Sequence, residues 1–171
     1  MRLTELGHRR IALLNGPKAY TFAQLRQAGF EAAMRQHQVP VDPAWVVNGY
    51  LTESSGHAMT QQMLGLPQRP TALLCATDAM AIGAMAACRQ AGLRVGTDVS
   101  IIGYGNSESA RFSDPPLTTV EHRVHENGQH IGQLMLDILG GVTPEPSHYL
   151  EPVELVPRSS DGPCPTPSAS P

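Results

Sequence analysis

A mixed α/β domain built on a parallel sheet is the fold class that this sequence predicts, and three observations carry it. Short apolar runs at 11–14, 45–47, 71–76 and 100–102 alternate with helix-length segments at 21–38, 54–64 and 79–90. Parallel strands require crossover connections, so this alternation places helices on the faces of a sheet. Helix punctuation falls where the alternation needs it. Finally, Asp98-Val-Ser-Ile-Ile-Gly-Tyr-Gly-Asn106 reads as a buried strand ending at a cleft, and Pro115-Pro-Leu-Thr-Thr-Val120 as chain leaving that cleft. Gly103 and Gly105 let the backbone approach whatever lies beyond the strand end.

Taken in order, Thr21 is placed to cap the first long helix, Ser54 or Ser55 the second and Asp78 the third, while Gly92 follows the third where a left-handed C-cap is wanted. After Val120 the pattern changes. Val124, Ile131, Leu134, Met135, Ile138 and Leu139 share one stripe of a helix over 123–139 that ends near Gly140-Gly141. That stripe needs a cover. Residues 148–156 read as a last extended segment, and 158–171, rich in Pro and Ser, hold too little apolar surface to order themselves.

At 171 residues the chain is one domain by length and can bury a core without disulfides or metals. Twelve basic residues against 15 acidic give no global attraction to nucleic acid or anionic membrane. Three cysteines at unrelated spacings form no disulfide framework and fit a reducing compartment. The beginning Met-Arg-Leu-Thr-Glu-Leu-Gly-His lacks a signal-peptide core, and no apolar run approaches the ~18–20 residues of a membrane span. A cytoplasmic protein is expected. Enzymatic signatures are absent: Gly103-Tyr-Gly-Asn opens like a phosphate loop, but Ser109 stands where the third glycine of a dinucleotide fingerprint would fall. There is no Walker lysine, G-x-S-x-G elbow, HExxH or CxxC pair, and the seven histidines lack metal-ligand spacing. Neither catalysis nor a metal or cofactor is expected.

The segments Leu3-Thr-Glu-Leu-Gly-His-Arg-Arg-Ile-Ala-Leu-Leu, Arg26-Gln-Ala-Gly-Phe30 and Pro70-Thr-Ala-Leu-Leu-Cys-Ala-Thr-Asp-Ala-Met-Ala-Ile-Gly-Ala-Met85, followed by the strand and crossover motifs above, resemble the effector-binding domain of the lac repressor/galactose repressor (LacI/GalR) family of transcription regulators. The resemblance implies the type I periplasmic binding protein-like fold, here truncated: a three-layer C-terminal lobe plus a crossover helix. Residues 1–158 would form this partial domain and 159–171 a disordered tail. Family members also carry a helix-turn-helix reading head, a hinge helix and an N-terminal lobe, all of which would precede Leu3. The helix 123–139 packs on that N-terminal lobe in the family, so its stripe is expected to stand exposed or to find a substitute partner. A small effector (a sugar, sugar acid or sugar phosphate) and a homodimer are implied, with operator DNA reached only through the missing head and no membrane involved. Alternatives are a stand-alone sugar-binding protein of the same fold and a dimerisation or interaction remnant.

The resemblance also marks candidate effector residues. Arg26 matches the family arginine that reaches into the site, where its fixed donors suit vicinal hydroxyls or a carboxylate. Tyr20 and Phe22 match effector-facing positions, and Phe22, Arg26 and Phe30 share a helical face, although core packing accounts equally well for Phe30. Leu51 stands where relatives often have an aromatic platform; Tyr50 beside it could supply one. Thr77 replaces a family Asn, keeping a hydroxyl but losing the amide, and Asp78 is read as a helix cap in preference to a ligand contact. Gly105 replaces an Asp that accepts from sugar hydroxyls, so Asn106 or Ser107 would have to supply the acceptor. A neutral site of this kind suits an anionic effector. His122 matches a ligand-facing Gln on the crossover and could donate to the ligand.

Overall fold

The computed structural model describes residues 2–142 and 152–166. A short helix α1 (Arg2–Glu5) leads into β1 (Ile11–Asn15), α2 (Thr21–Gln36), a 3-10 turn (Pro43–Trp45) and β2 (Val46–Asn48). Then come α3 (Glu53–Leu64), β3 (Ala72–Cys75), α4 (Asp78–Gln90), β4 (Ser100–Tyr104), α5 (Glu108–Arg111), β5 (Thr118–Glu121), α6 (Val124–Leu139) and β6 (Glu154–Val156). One six-stranded sheet runs β2-β1-β3-β4-β5-β6. Neighbouring strands from β2 to β5 pair in parallel, and β6 alone is antiparallel, with Val120 opposite Leu155.

Both faces of the sheet are covered, which is why its strands read as continuous apolar runs. Along β1 the side chains alternate: Ala12 and Leu14 enter a core with α3 and α4, Ile11 and Leu13 a second core with α2 and Leu3. Ile101 and Ile102 divide in the same way. The expected α/β three-layer architecture is the observed one.

The tightest contact in the fold is between α3 and α4, where each helix presents a glycine to the other. A Cβ on Gly56 would overlap the Met80 carbonyl, and one on Gly83 the Glu53 carbonyl. Gly92 closes α4 as expected, at φ 74°, with its N–H and that of Leu93 returning to the Arg89 and Cys88 carbonyls. The N-terminal caps differ from expectation by one to three residues. Tyr20, not Thr21, occupies the cap of α2 and makes no side-chain bond, while Thr52, not Ser54 or Ser55, caps α3 by accepting from Ser55 N–H. Thr77 caps α4 by accepting from Met80 N–H. Asp78 is thereby freed for another task. It is 3% exposed, and its two oxygens accept from Thr119 Oγ1 at 2.5 Å and from Ser107 N–H at 2.7 Å.

The polar C-terminal stretch also departs from expectation. Ser160, Asp161 and Gly162 are buried, and hydrogen bonds rather than apolar area hold them. Ser160 exchanges bonds with Ile101 and accepts from Thr118 N–H, and Asp161 accepts from Arg2 Nε at 2.7 Å and from Thr118 Oγ1. Gly162 pairs with Ser100 Oγ, and Cys164 N–H reaches the Leu6 carbonyl. The boundary placed at 158 therefore does not hold, because this strap crosses the N-terminal ends of β4 and β5; residues 167–171 lie outside the described residues. So do residues 148–151 of the extended segment expected over 148–156, of which β6 is described.

Beneath the strap lies His8, fully buried, with Nδ1 2.9 Å from Thr71 Oγ1 and Nε2 3.0 Å from both Ser100 Oγ and the Gly162 carbonyl. A carbonyl only accepts, so Nε2 carries the proton and Nδ1 of the neutral ring accepts from Thr71. Burial pushes the His8 pKa down, outweighing the hydrogen bond to Gly162 and the field of Asp161. Helix α6 forms as expected, and its stripe stands exposed: Ile131 is 63%, Met135 56% and Leu139 76% accessible.

Three outcomes follow from this packing. Gly83→Ala gains helix propensity but drives a methyl into backbone that cannot rotate away, so urea denaturation should show a net loss of about 1–3 kcal/mol. Asp78→Ala strands the buried Thr119 hydroxyl and the part-buried Ser107 N–H, and should cost about 2–4 kcal/mol, against about 1 kcal/mol for Thr77→Ala. A cap-only role for Asp78 would reverse that order. Because the folded pKa of His8 lies below its ordinary 6.5, the unfolded chain takes up the proton first. The His8 contribution is therefore whole above 6.5 and lost as the pH falls from there toward the folded value. Denaturation at stepped pH should show that slope in the wild type and not in His8→Gln.

Candidate functional site

Open parallel sheets bind ligands outside the carboxyl ends of their strands, and the unspent polar and aromatic groups of this protein gather there. Beyond β1 the chain turns at Gly16, where a Cβ would lie 2.7 Å from the Phe22 ring and 3.2 Å from Leu51. Phe22 and Leu51 thus meet over the end of β1. Tyr20 stacks on Phe22 with ring centroids 5.6 Å apart and planes 13° apart. One helical turn after Phe22, Arg26 lays its guanidinium carbon 5.8 Å from the Phe22 centroid and 5.0 Å from that of Tyr104 at the end of β4. Tyr104 in turn stacks on His122, just past β5, at 5.0 Å. Side chains from three separate places in the sequence thereby form one ladder: Tyr20, Phe22, Arg26, Tyr104, His122.

Arg26 is the charged member. Among the described residues nothing accepts a hydrogen bond from it or pairs with it. Burial pushes its pKa down, the Tyr104 interaction opposing this, and the guanidinium remains charged at any ordinary pH. His122 is half-buried, and its Nδ1 is buried without a partner. Thr77 and Asp78 line a cavity of about 290 Å³ beside the ladder, together with Glu53, Ile82, Tyr104 and Gly105.

Two expected residues behave differently. Gly105 is at φ 130°, a conformation open to glycine, so an acidic side chain could not simply be restored there without moving the backbone. Asn106 does not supply the missing acceptor, because its Oδ1 is taken by Arg158 Nη2 at 2.5 Å. Ser107 Oγ is occupied as the cap of α5, accepting from Ala110 N–H. Tyr104 was not among the expected site residues. Its signal was its place at a strand end between two glycines.

A wider groove of about 510 Å³ lies between α2 and the edge strand β2, lined in part by Lys18, Glu31, Arg35 and Asn48. It offers no aromatic platform. Burial raises the thiol of Cys88 to about 11 and that of Cys75 further, so neither is a thiolate nucleophile near neutral pH. Among the described residues no cluster of His, Cys, Asp or Glu could hold a metal, and no helix is long and apolar enough to cross a membrane.

Comparison with known proteins accords with this geometry. Residues 1–160 match the periplasmic binding protein-like domain family. The HTH-type transcriptional repressor CytR of Escherichia coli is 38% identical over 158 residues, covering 92% of this chain and 46% of CytR. The HTH-type transcriptional repressor PurR of Escherichia coli is 39% identical over 163 residues, 94% of this chain and 48% of PurR. The chain thus spans about half the length of these curated relatives. A crystal structure of the lac repressor dimer bound to operator and the anti-inducer ONPF superposes with a TM-score of 0.86 at 37% identity, covering 94% of this chain and 55% of that one. The chain belongs to the periplasmic binding protein-like domain family and corresponds to the effector-binding portion of LacI/GalR regulators.

Proposed function

We propose that this chain senses a small sugar-like effector on behalf of a LacI/GalR-type transcription regulator, without chemical change to the effector. The observation that carries the reading is Arg26: a half-buried cation, unpaired and held between two aromatic rings at the ligand-binding edge of a parallel sheet. A ring-shaped ligand stacks on Tyr20 or Phe22 and takes hydrogen bonds from Arg26, with Thr77, Leu51 and His122 completing the rim. Gly105 contributes backbone only, and Asn106 acts through its bond with Arg158.

Sensing has a route out of the site. His122 lies where β5 leaves the sheet, and α6 follows directly. A ligand that prefers one placement of this crossover shifts the equilibrium by its differential affinity for the two states. The lac repressor structure holds a dimer on operator DNA. By analogy, the whole regulator here works as a cytoplasmic homodimer, and its DNA contacts lie in a helix-turn-helix portion outside this chain.

Calorimetry of this chain against a library of simple sugars, sugar acids and sugar phosphates tests the reading. A ligand of the wild type should bind Arg26→Ala about 10- to 100-fold more weakly, the cost of a charge-assisted bond. Equal affinities would remove Arg26 from the site, and a library without any ligand would overturn effector sensing. In gel shifts at low salt the chain alone should show no sequence-selective DNA binding, since its balance is 12 basic to 15 acidic residues.

A further inference from the structure

The rim is rich in donors and poor in acceptors, and this asymmetry bears on what the effector must carry. A neutral sugar hydroxyl both donates and accepts, so a site built for it supplies both kinds of partner. Here the side-chain acceptors nearest the rim each already hold a donor. Asp78 gives its oxygens to Thr119 and Ser107, Asn106 Oδ1 is held by Arg158, Ser107 Oγ caps α5, and Gly105 has no side chain. Glu53 borders the neighbouring cavity but is exposed and does not pair with Arg26. What remains unspent is the Arg26 guanidinium, with five donors and no acceptor, while on the same Tyr104 ring the buried, unpartnered Nδ1 of His122 donates or accepts according to its tautomer.

We infer that the effector presents an oxyanion, a carboxylate or a phosphate ester, to Arg26, with its ring on the Tyr20–Phe22 pair. This rests on the proposed effector site and narrows it. An oxyanion only accepts, and two of its oxygens match the planar fork of arginine in a bidentate pair. Ligand binding then supplies the counter-charge that Arg26 lacks in the free protein. A neutral polyol would leave the guanidinium uncompensated.

The test follows the Arg26 Nε–Hε signal in nitrogen-15 NMR of the full chain, assigned by its disappearance in Arg26→Gln. Glucose, glucuronate, glucose 6-phosphate and inorganic phosphate are titrated at constant ionic strength. Glucuronate or glucose 6-phosphate should shift the signal saturably with an affinity at least about tenfold tighter than glucose, while the exposed Arg94 and Arg123 show no saturation. Whichever of the two binds tighter identifies carboxylate or phosphate as the anionic group. Inorganic phosphate should bind more weakly than the preferred ring-bearing anion. Arg26→Lys keeps the charge but loses the fork, and should lose about tenfold in affinity for that ligand while unfolding at the same urea concentration as the wild type. Glucose binding as tightly as its anionic counterparts overturns the oxyanion and leaves effector sensing intact. Absence of a saturable Arg26 shift with all four overturns the assignment of the anion to Arg26, and the calorimetric library then decides separately whether the site takes any effector.

Discussion

The carboxylate of Asp78 is the joint on which the geometry of the site depends. Three pieces of chain meet at it: the first turn of α4 that carries it, the loop after β4 through Ser107 N–H, and β5 through Thr119 Oγ1. Hydrogen bonds to a carboxylate are about twice as strong as neutral ones, and a deeply buried acceptor left without donors costs stability. Its neighbours are shaped to admit it. A Cβ on Gly103 would overlap its Oδ1, and Gly105 swings past Oδ2 at a positive φ. The glycines, the threonine hydroxyl and the carboxylate thus form an interdependent set, and Tyr104, fixed between the two glycines, is aimed where Arg26 and His122 can both reach its ring.

The two edges of the sheet are finished in opposite ways. At the N-terminal ends of β3, β4 and β5 polar groups are buried and satisfied, through His8, Thr71, Ser100, Thr118 and the strap over 159–164. At the C-terminal ends the polar capacity is left open, with Arg26 and His122 Nδ1 unpartnered among the described residues. Buried polar networks rigidify when every member is paired, and a ligand gains most where pairing is incomplete. The fold spends its hydrogen bonds at one edge and reserves them at the other.

Much of this was legible in the residues. The strand–helix alternation carried the sheet, the apolar runs of Ile11–Asn15 and Ser100–Tyr104 carried strands buried on both faces, and the spaced motifs carried the family. Tyr20, Phe22, Arg26 and His122, marked in the sequence by the resemblance, stand together beyond the carboxyl ends of the strands. The failures share a physical cause, which is that a hydrogen-bond partner distant in sequence is invisible locally. Asp78 looks like a cap because three to four residues of sequence show only α4, while Thr119 and Ser107 lie elsewhere. Asn106 looks free until Arg158 is brought to it, 52 positions along the chain. Residues 158–166 look disordered by composition, since composition measures apolar area and this segment is held by polar contacts. The conformation of Gly105 is likewise set by the loop it closes rather than by its neighbours in sequence.

The strap has a further consequence, in the order of synthesis. Gly162 is translated 154 residues after His8, and Asp161 is 159 residues beyond Arg2. At about 5–20 residues per second, roughly 10–30 s separate the emergence of each pair. During that interval β1, β3 and β4 can already have paired and α2, α3 and α4 docked, since their contacts are far more local. His8 then holds Thr71 and Ser100 while its last acceptor is still unmade. The N-terminal edge of the sheet stays open to water and proteases for a time set by the ribosome, and no gain in the stability of the finished protein shortens it.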